Sequence, residues 1–453
     1  MQVQTPRREA GARRRTATLT VALALVVALA GGCAATRPAP AEAAYGAPIA
    51  INTPQGLRAK QTMDMLNSDW PIGEVGVRTL AAPEIVEHVG VTLDRMWWDR
   101  PFTVRDVEVG AGNATLHITT SYGVQQTIDL RTDDTTSLVD RFHVSLVKPE
   151  IGQWSDVDAA LTSSGARYSY QVAKVVDGSC EKVAGTNTEQ SLPLASIFKL
   201  YVLLAVADAI KAGDAAWDDT LTITKEAKAV GSSGFDKLPP GATVTVRQAA
   251  QQMISASDNM ATDLLIGHLG PGAVERALVT AGHHDPASMT PFPTMHELFS
   301  VGWGKPDVRD QWKQASPQKR AQLLQQVKSR PYEPDPERTH VPASTIGAEW
   351  YASASDICRL HAALQEAAVG EAAPVTEILS AIPGIDLNRK TWPYIGAKAG
   401  NLPGDLTFSW YAVDKTGQPW VVSLQSNWPE YRSQTAAAWL LSMAEQMFGL
   451  IEP

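Results

Sequence analysis

Basic residues are the scarcer charge in this 453-residue chain: 39 Lys and Arg stand against 48 Asp and Glu, a net charge of −9. That balance argues against nucleic acid as a partner and against electrostatic binding to anionic lipid. Cysteine is nearly absent, with three residues, so at most one disulfide remains once Cys33 is set aside. Cys180 and Cys358 could pair in an exported protein, but their separation in sequence says nothing about their distance in space. Metal-ligand spacings are missing as well: His296-Glu297 lacks the second histidine of a zinc helix. No cofactor is expected. What remains, 44% hydrophobic and 19% charged residues, is the composition of a folded globular protein, long enough for two or three domains.

The N-terminus reads as an address. Arg13, Arg14 and Arg15 precede an apolar run of 12 residues, Leu19 to Ala30, too short to span a bilayer but suited to a signal peptide. "LAGGC" follows, and its small residues before Cys33 resemble a bacterial lipobox. Residues 1–32 are therefore expected to be removed and Cys33 to carry lipid, anchoring the protein at the outer face of the cytoplasmic membrane. Removal takes away five Arg and one Glu, leaving a net charge of −13. Residues 33–48, rich in Ala and Pro, have the composition of an extended tether.

Two units follow. Residues 49–150 begin with helical stretches, "TPQGLRAKQTMDMLN" and "APEIVEHVGVTLDRMWW", and continue as alternating segments with Gly-containing turns, the pattern of an α+β domain with an antiparallel meander. Trp97-Trp98 reads as core rather than as a pocket wall. Residues 151–453 open with a helix closed by Gly165 and a strand, "RYSYQVAKVV". A mostly helical middle follows, and the chain ends in three strand-like segments and a helix. A chain that starts and ends on one sheet predicts a sheet flanked by a helical lobe, with a cleft between them. Residues 304–340 read as a charged surface excursion with one exposed helix.

Chemistry concentrates in the second unit. In "LPLASIFKLYVLLAVADAIKAG", Ser196 and Lys199 lie three apart on a helix that is apolar nearly all round and therefore buried. A lysine there is desolvated, which favours the neutral amine and suits it to take the serine proton. Sixty-one residues on, in "GATVTVRQAAQQMISASDNMATDLLIGHLG", Ser257 falls on a break between two helices, where it can pass a proton to a leaving group. Asn259 can hold both Lys199 and a substrate amide, and Asp258 is a structural acceptor at a helix start.

With Ser-x-x-Lys and Ser-Asp-Asn in place, residues 154–453 resemble the serine β-lactamase and penicillin-binding-protein superfamily, specifically class A. The preceding domain of about a hundred residues makes the layout similar to a two-domain type represented by a mycobacterial lipoprotein and by the cephalosporin esterase encoded with clavulanic acid biosynthesis. There a steroid-isomerase-like (NTF2-like, cystatin-like) α+β domain precedes the class A-like one. The resemblance implies a third element, a lysine on an edge strand facing the serine. Lys415-Thr416-Gly417 has the family's letters, but "DKTGQP" has turn composition and is followed by only one strand and the helix. Lys398-Ala399-Gly400 is followed by two strands and the helix, as the family pattern requires, so Lys398 is assigned the role. Ala399 lacks the hydroxyl that helps bind a substrate carboxylate. The oxyanion hole is expected from the backbone N–H groups of Ser196 and Asn401. The deacylating glutamate of class A enzymes is missing: no Glu-x-x-Leu-Asn occurs, and Glu297 fits a helix start.

The sequence thus points to a lipid-anchored serine hydrolase acting through a Ser196 acyl-enzyme on a small ester, β-lactam or peptidoglycan-related substrate, with esterase favoured over efficient β-lactamase. A D-Ala-D-Ala peptidase, or a non-catalytic envelope protein that keeps the fold to bind a ligand, stands as the alternative.

Overall fold

The computed structural model describes residues 45–225 and 234–451. The signal segment, Cys33 and most of the tether lie outside the described residues. None of the described helices is long and apolar enough to cross a membrane.

The first domain is built from short-range signals. Helix Pro54–Leu66 starts where Thr53 accepts a hydrogen bond from the Gly56 amide, and Pro54 occupies a first-turn position that needs no amide. Helices Glu74–Leu80 and Val86–Trp97 follow. Four antiparallel strands, Thr103–Val109, Asn113–Thr119, Gln125–Thr132 and Val139–Leu146, then pair in chain order. Their period-two alternation turns Ala114, Leu116, Ile118, Ile128 and Leu130 inward, against Met63, Leu66, Leu80 and Leu93 of the helices. This is the expected α+β arrangement.

The two domains share apolar and polar contacts. Tyr122 and Val124, on the turn between the second and third strands, belong to the core of the second domain. Asp99, fully buried, accepts hydrogen bonds from the Ser433 amide, at 3.0 Å, and from the Ser433 hydroxyl. Burial raises its carboxyl above the usual range, the opposite of an exposed capping carboxylate.

The second domain is a five-stranded antiparallel sheet in the order Tyr394–Leu402, Asp405–Val413, Pro419–Asn427, Arg167–Val176, Ser179–Thr186. Its first and last segments meet in mid-sheet, and Tyr394–Leu402 is left as an edge. Alternation again decides the faces. Leu406, Phe408 and Trp410 pack with helices Trp154–Ser163 and Gln434–Gly449, whereas Thr407 and Ser409 turn toward the helical lobe, bonding Pro193 O and His361. Helix Lys199–Ala212 runs through that lobe, buried from Lys199 to Ala207 as its all-round apolarity requires. Cys180 and Cys358 form a disulfide that ties the outermost strand to helix Ala354–Ala367.

Two sequence readings meet the structure here. Lys415-Thr416-Gly417 forms a hairpin turn: the Asp414 amide donates to Gln418 O at 3.0 Å, and Gly417 takes a φ of +87°. The single exposed helix expected within residues 304–340 is a correction. Two helices, Arg309–Gln314 and Pro317–Lys328, occupy that stretch, and Trp312, Leu323, Leu324 and Val327 are buried. Leu323, Leu324 and Val327 share one stripe, enough to dock the second helix on Met295–Trp303 although the segment as a whole is charged.

Candidate active site

The serine turn is held from three sides. Residues Ala195–Phe198 form a 3-10 turn that runs directly into helix Lys199–Ala212. Ala195 sits at φ +43°, a left-handed conformation that costs a non-glycine residue about 1–2 kcal/mol. Its surroundings over-determine it. The Leu194 amide donates to Trp350 O at 2.8 Å, and Phe198 stacks on Trp350 with ring centroids 3.7 Å apart. From the edge strand, Gly400 comes so close that a Cβ there would lie 2.5 Å from Leu194 O and 2.8 Å from the Ser196 amide nitrogen. Only glycine permits that approach. It brings Asn401, the next residue, to the cleft that Ser196 lines.

Ser257 occupies the break between helices Val246–Ser255 and Asn259–Leu269, at φ +57°. Asp258 caps the second helix. Its carboxylate accepts from the Ala261 amide at 2.9 Å and from the Gly234 and Phe235 amides at 3.1 and 3.2 Å, which pins the break.

Two lysines converge on Ser257. Lys398 Nζ donates to its Oγ at 2.9 Å and to Ala399 O at 2.6 Å. Lys199 Nζ donates to Ser257 O at 2.5 Å, to Asn259 Oδ1 at 2.8 Å and to Ser257 Oγ at 3.3 Å. Lys199 is fully buried and Lys398 only 4% exposed. Burial pulls the Lys398 amine down to about 7. Lys199 is held well below the usual lysine range, first by burial and then by the positive charge of Lys398, with Asp258 and Asp263 opposing. In both lysines the neutral amine is thus favoured relative to an exposed lysine.

One expected contact is not made. The three-residue spacing puts Lys199 within reach of Ser196, but its amine is turned to Ser257 and Asn259, and half-buried Ser196 lines the cleft with no side-chain hydrogen bond among the described residues. Ala399, as expected, offers no hydroxyl, and its side is exposed.

Residues 154–340 match the β-lactamase enzyme family, and residues 50–137 match a family described as the ORF 12 gene product N-terminal. A β-lactamase-like domain thus begins at about residue 154. Solved structures similar to the chain include a β-lactamase from Sphaerobacter thermophilus, 21% identical, with a TM-score of 0.46, covering 66% of this chain and all of that one. PBP-A is 14% identical with a TM-score of 0.45, covering 68% of this chain and all of its own. The chromosome-encoded β-lactamase of Vibrio parahaemolyticus is 16% identical with a TM-score of 0.44, covering 65% and 97%. No curated protein matches the chain.

Met295 and Phe299, four apart on helix Met295–Trp303, present apolar side chains to the cleft. Glu297 turns elsewhere: it closes a capping box with Thr294 and faces Lys328 at 3.8 Å. Asp263 is the residue that sequence reading missed. Its carboxylate accepts from the Met295 and His296 amides at 2.7 and 2.9 Å, fixing the helix start beside the cleft, and burial lifts it to about 7. Its signal was present, four residues after Asn259 on the same helix, but nothing local says what it holds. Also unread was His361, fully buried, whose Nε2 meets Ser409 Oγ at 3.0 Å while that hydroxyl donates to Lys398 O at 3.3 Å, bracing the lysine strand from behind.

Two other features fall outside the chemistry. A larger cavity, about 700 Å³, is lined by Asp263, Glu297, His268 and Lys328 but by neither Ser196 nor Ser257, whereas the smaller cleft of about 500 Å³ is lined by Ser196, Ser257, Asn259 and Lys398. Among the described residues, His283, His284 and Asp356 bring possible metal donors together. Both His283 nitrogens are committed, to Tyr351 O and the Asp285 amide, and Arg359 already pairs with Asp356. This is a helix-capping network rather than a vacant ligand set.

Proposed function

We propose that the protein is a serine hydrolase that acts on esters or β-lactams through an acyl-enzyme on Ser196, anchored to the membrane by lipid on Cys33. The observation that carries the reading is the convergence of two buried amines on Ser257 Oγ, beside the cleft that Ser196 lines.

In this reading the neutral Lys199 amine takes the Ser196 proton as Oγ bonds to the substrate carbonyl carbon. The backbone N–H groups of Ser196 and Asn401 receive the developing oxyanion. Collapse of the tetrahedral intermediate breaks the bond to the alcohol oxygen or lactam nitrogen. Ser257 gives that atom its proton and is reprotonated from the lysine pair, so the proton first taken from Ser196 ends on the leaving group. Water later cleaves the Ser196 ester. Among the described residues no carboxylate lines the cleft to activate that water, and Met295 and Phe299 form part of its wall. Esters and slowly released lactams fit this site better than rapid penicillin turnover. Asn259 and Lys398 orient the substrate.

Export is supported by the Cys180–Cys358 disulfide, a bond favoured in oxidising compartments. The helices-then-meander order of the first domain supports its steroid-isomerase-like reading.

The test is intact-mass analysis after exposure to an activated ester or penicillin. A covalent increase is expected on wild type and none on Ser196→Ala. Absence of any adduct removes the enzymatic reading, and turnover confined to peptides ending in D-Ala-D-Ala replaces the hydrolase with a peptidase.

A further inference from the structure

The cleft that holds Ser196 does not stop at the edge strand. Its lining passes over that strand, past Ala399, Asn401 and Leu402, and continues against the sheet face that helix Gln434–Gly449 covers. There the walls are Leu406, Phe408, Trp410, Ala437 and Leu441, with Ile382 at the mouth. Phe408 and Trp410 pack in parallel, with ring centroids 5.9 Å apart, and Trp410 Nε1 donates to Pro383 O at 2.9 Å, so the indole shows the crevice carbon only. Ile382, 59% exposed, extends the apolar lining out to the surface.

Charge sharpens the point. Among the described residues, the one cation lining the cleft is Lys398, whose amine is already hydrogen-bonded to Ser257 Oγ and Ala399 O. Beyond it, no described side chain of the crevice carries a charge to compensate a carboxylate or an ammonium, and burying either unpaired is costly. Ala399 and Ala437 are small and leave room, and the aromatic and aliphatic walls reward apolar surface.

We infer that this crevice is a substrate subsite for an uncharged apolar group, an alkyl chain or ring of several carbons attached to the ester that Ser196 cleaves. The inference rests on the hydrolase reading above. It names the substrate class: apolar esters rather than small carboxylate-bearing ones.

Two ester series test it, p-nitrophenyl alkanoates from acetate to decanoate, which lengthen the acyl part, and alkyl acetates from methyl to octyl, which lengthen the alcohol. In at least one series kcat/KM is expected to rise about threefold to fourfold per methylene over the first few carbons, the value of a buried methylene. A terminal carboxylate on the chain should lower it at least tenfold. Ala437→Phe, which fills the crevice, and Leu441→Arg, which charges it, should each reduce the long-to-short ratio to within about threefold. Two flat series, or a ratio that survives both variants, overturns the subsite. A second readout separates this from failure of the hydrolase reading. The neutral fluorophore N-phenyl-1-naphthylamine should bind wild type and Ser196→Ala alike, be displaced by decanol and be lost in Ala437→Phe. If it binds Ser196→Ala but Ser196 takes no acyl group in wild type, the chemistry is wrong and the subsite stands. If it fails to bind, or binds Ala437→Phe equally, the subsite is wrong whatever the chemistry.

Discussion

Replacing Lys398 with methionine keeps the volume of a buried, unbranched side chain and removes its charge. Both Lys398 Nζ and Lys199 Nζ lie within 3.3 Å of Ser257 Oγ, so the two amines are within about 6 Å of each other. At an effective dielectric of about 20, a unit charge at about 6 Å is worth about 3 kcal/mol, or about 2 pKa units on its neighbour. Lys398 has its own midpoint at about 7, so its charge is fully present only on the acid side. The sign follows directly: a nearby positive charge disfavours protonated Lys199, and removing it raises the Lys199 pKa. Less of the base is then neutral at a given pH. In Lys398→Met, the acid limb of Ser196 acylation by an activated ester should move up by about one to two pH units. The loss of rate should be largest near pH 6 and shrink toward pH 9. Stopped-flow acylation from pH 5 to 10, with circular dichroism as a folding control, measures it. A loss uniform across that range, or a limb displaced downward, would refute the coupling and leave Lys398 as a substrate contact alone.

Other perturbations read other parts of the molecule. Met295→Glu places a carboxylate on the cleft wall and should shorten the lifetime of a penicillin acyl-enzyme at least tenfold, followed by decay of the adduct mass, at some cost in thermal stability for a carboxylate where Met295 is 1% exposed. Cys180→Ser opens a loop of 178 residues and should lower unfolding free energy by about 2–5 kcal/mol in urea titrations while leaving Ser196 acylation intact. Asp258→Ala removes the acceptor for three backbone amides, and both stability, by about 1–3 kcal/mol, and acylation should fall because the Ser257 turn loses its anchor. Lys415→Ala, on the hairpin turn, should change the acylation rate by less than twofold; abolition of acylation would show that the wrong lysine was chosen.

The motif spacings were legible because each is a local matter. Ser196 and Lys199 share a helical turn, Ser257 falls between two periodic segments, and turn composition at 414–418 disqualified the literal Lys-Thr-Gly. The burial of Lys199 was legible too, from a helix with no polar face. What could not be read was any quantity that depends on segments far apart in sequence meeting. The pairing of Cys180 with Cys358, the support of Met295 by Asp263, and the brace of His361 through Ser409 behind Lys398 each join elements that only the packed sheet and lobe bring together.

The sequence by itself determined the chemical vocabulary: a serine and a lysine three apart at the start of an apolar helix, a serine on a helix break, and an edge strand with Lys398 and a glycine. Tertiary structure decided how these are used. It aimed Lys199 at Ser257 rather than Ser196, because a side chain with several rotatable bonds goes to whichever acceptors surround it. It also extended the cleft behind the edge strand, since a strand's alternate residues face opposite sides and what lines the second face depends on the helix packed there.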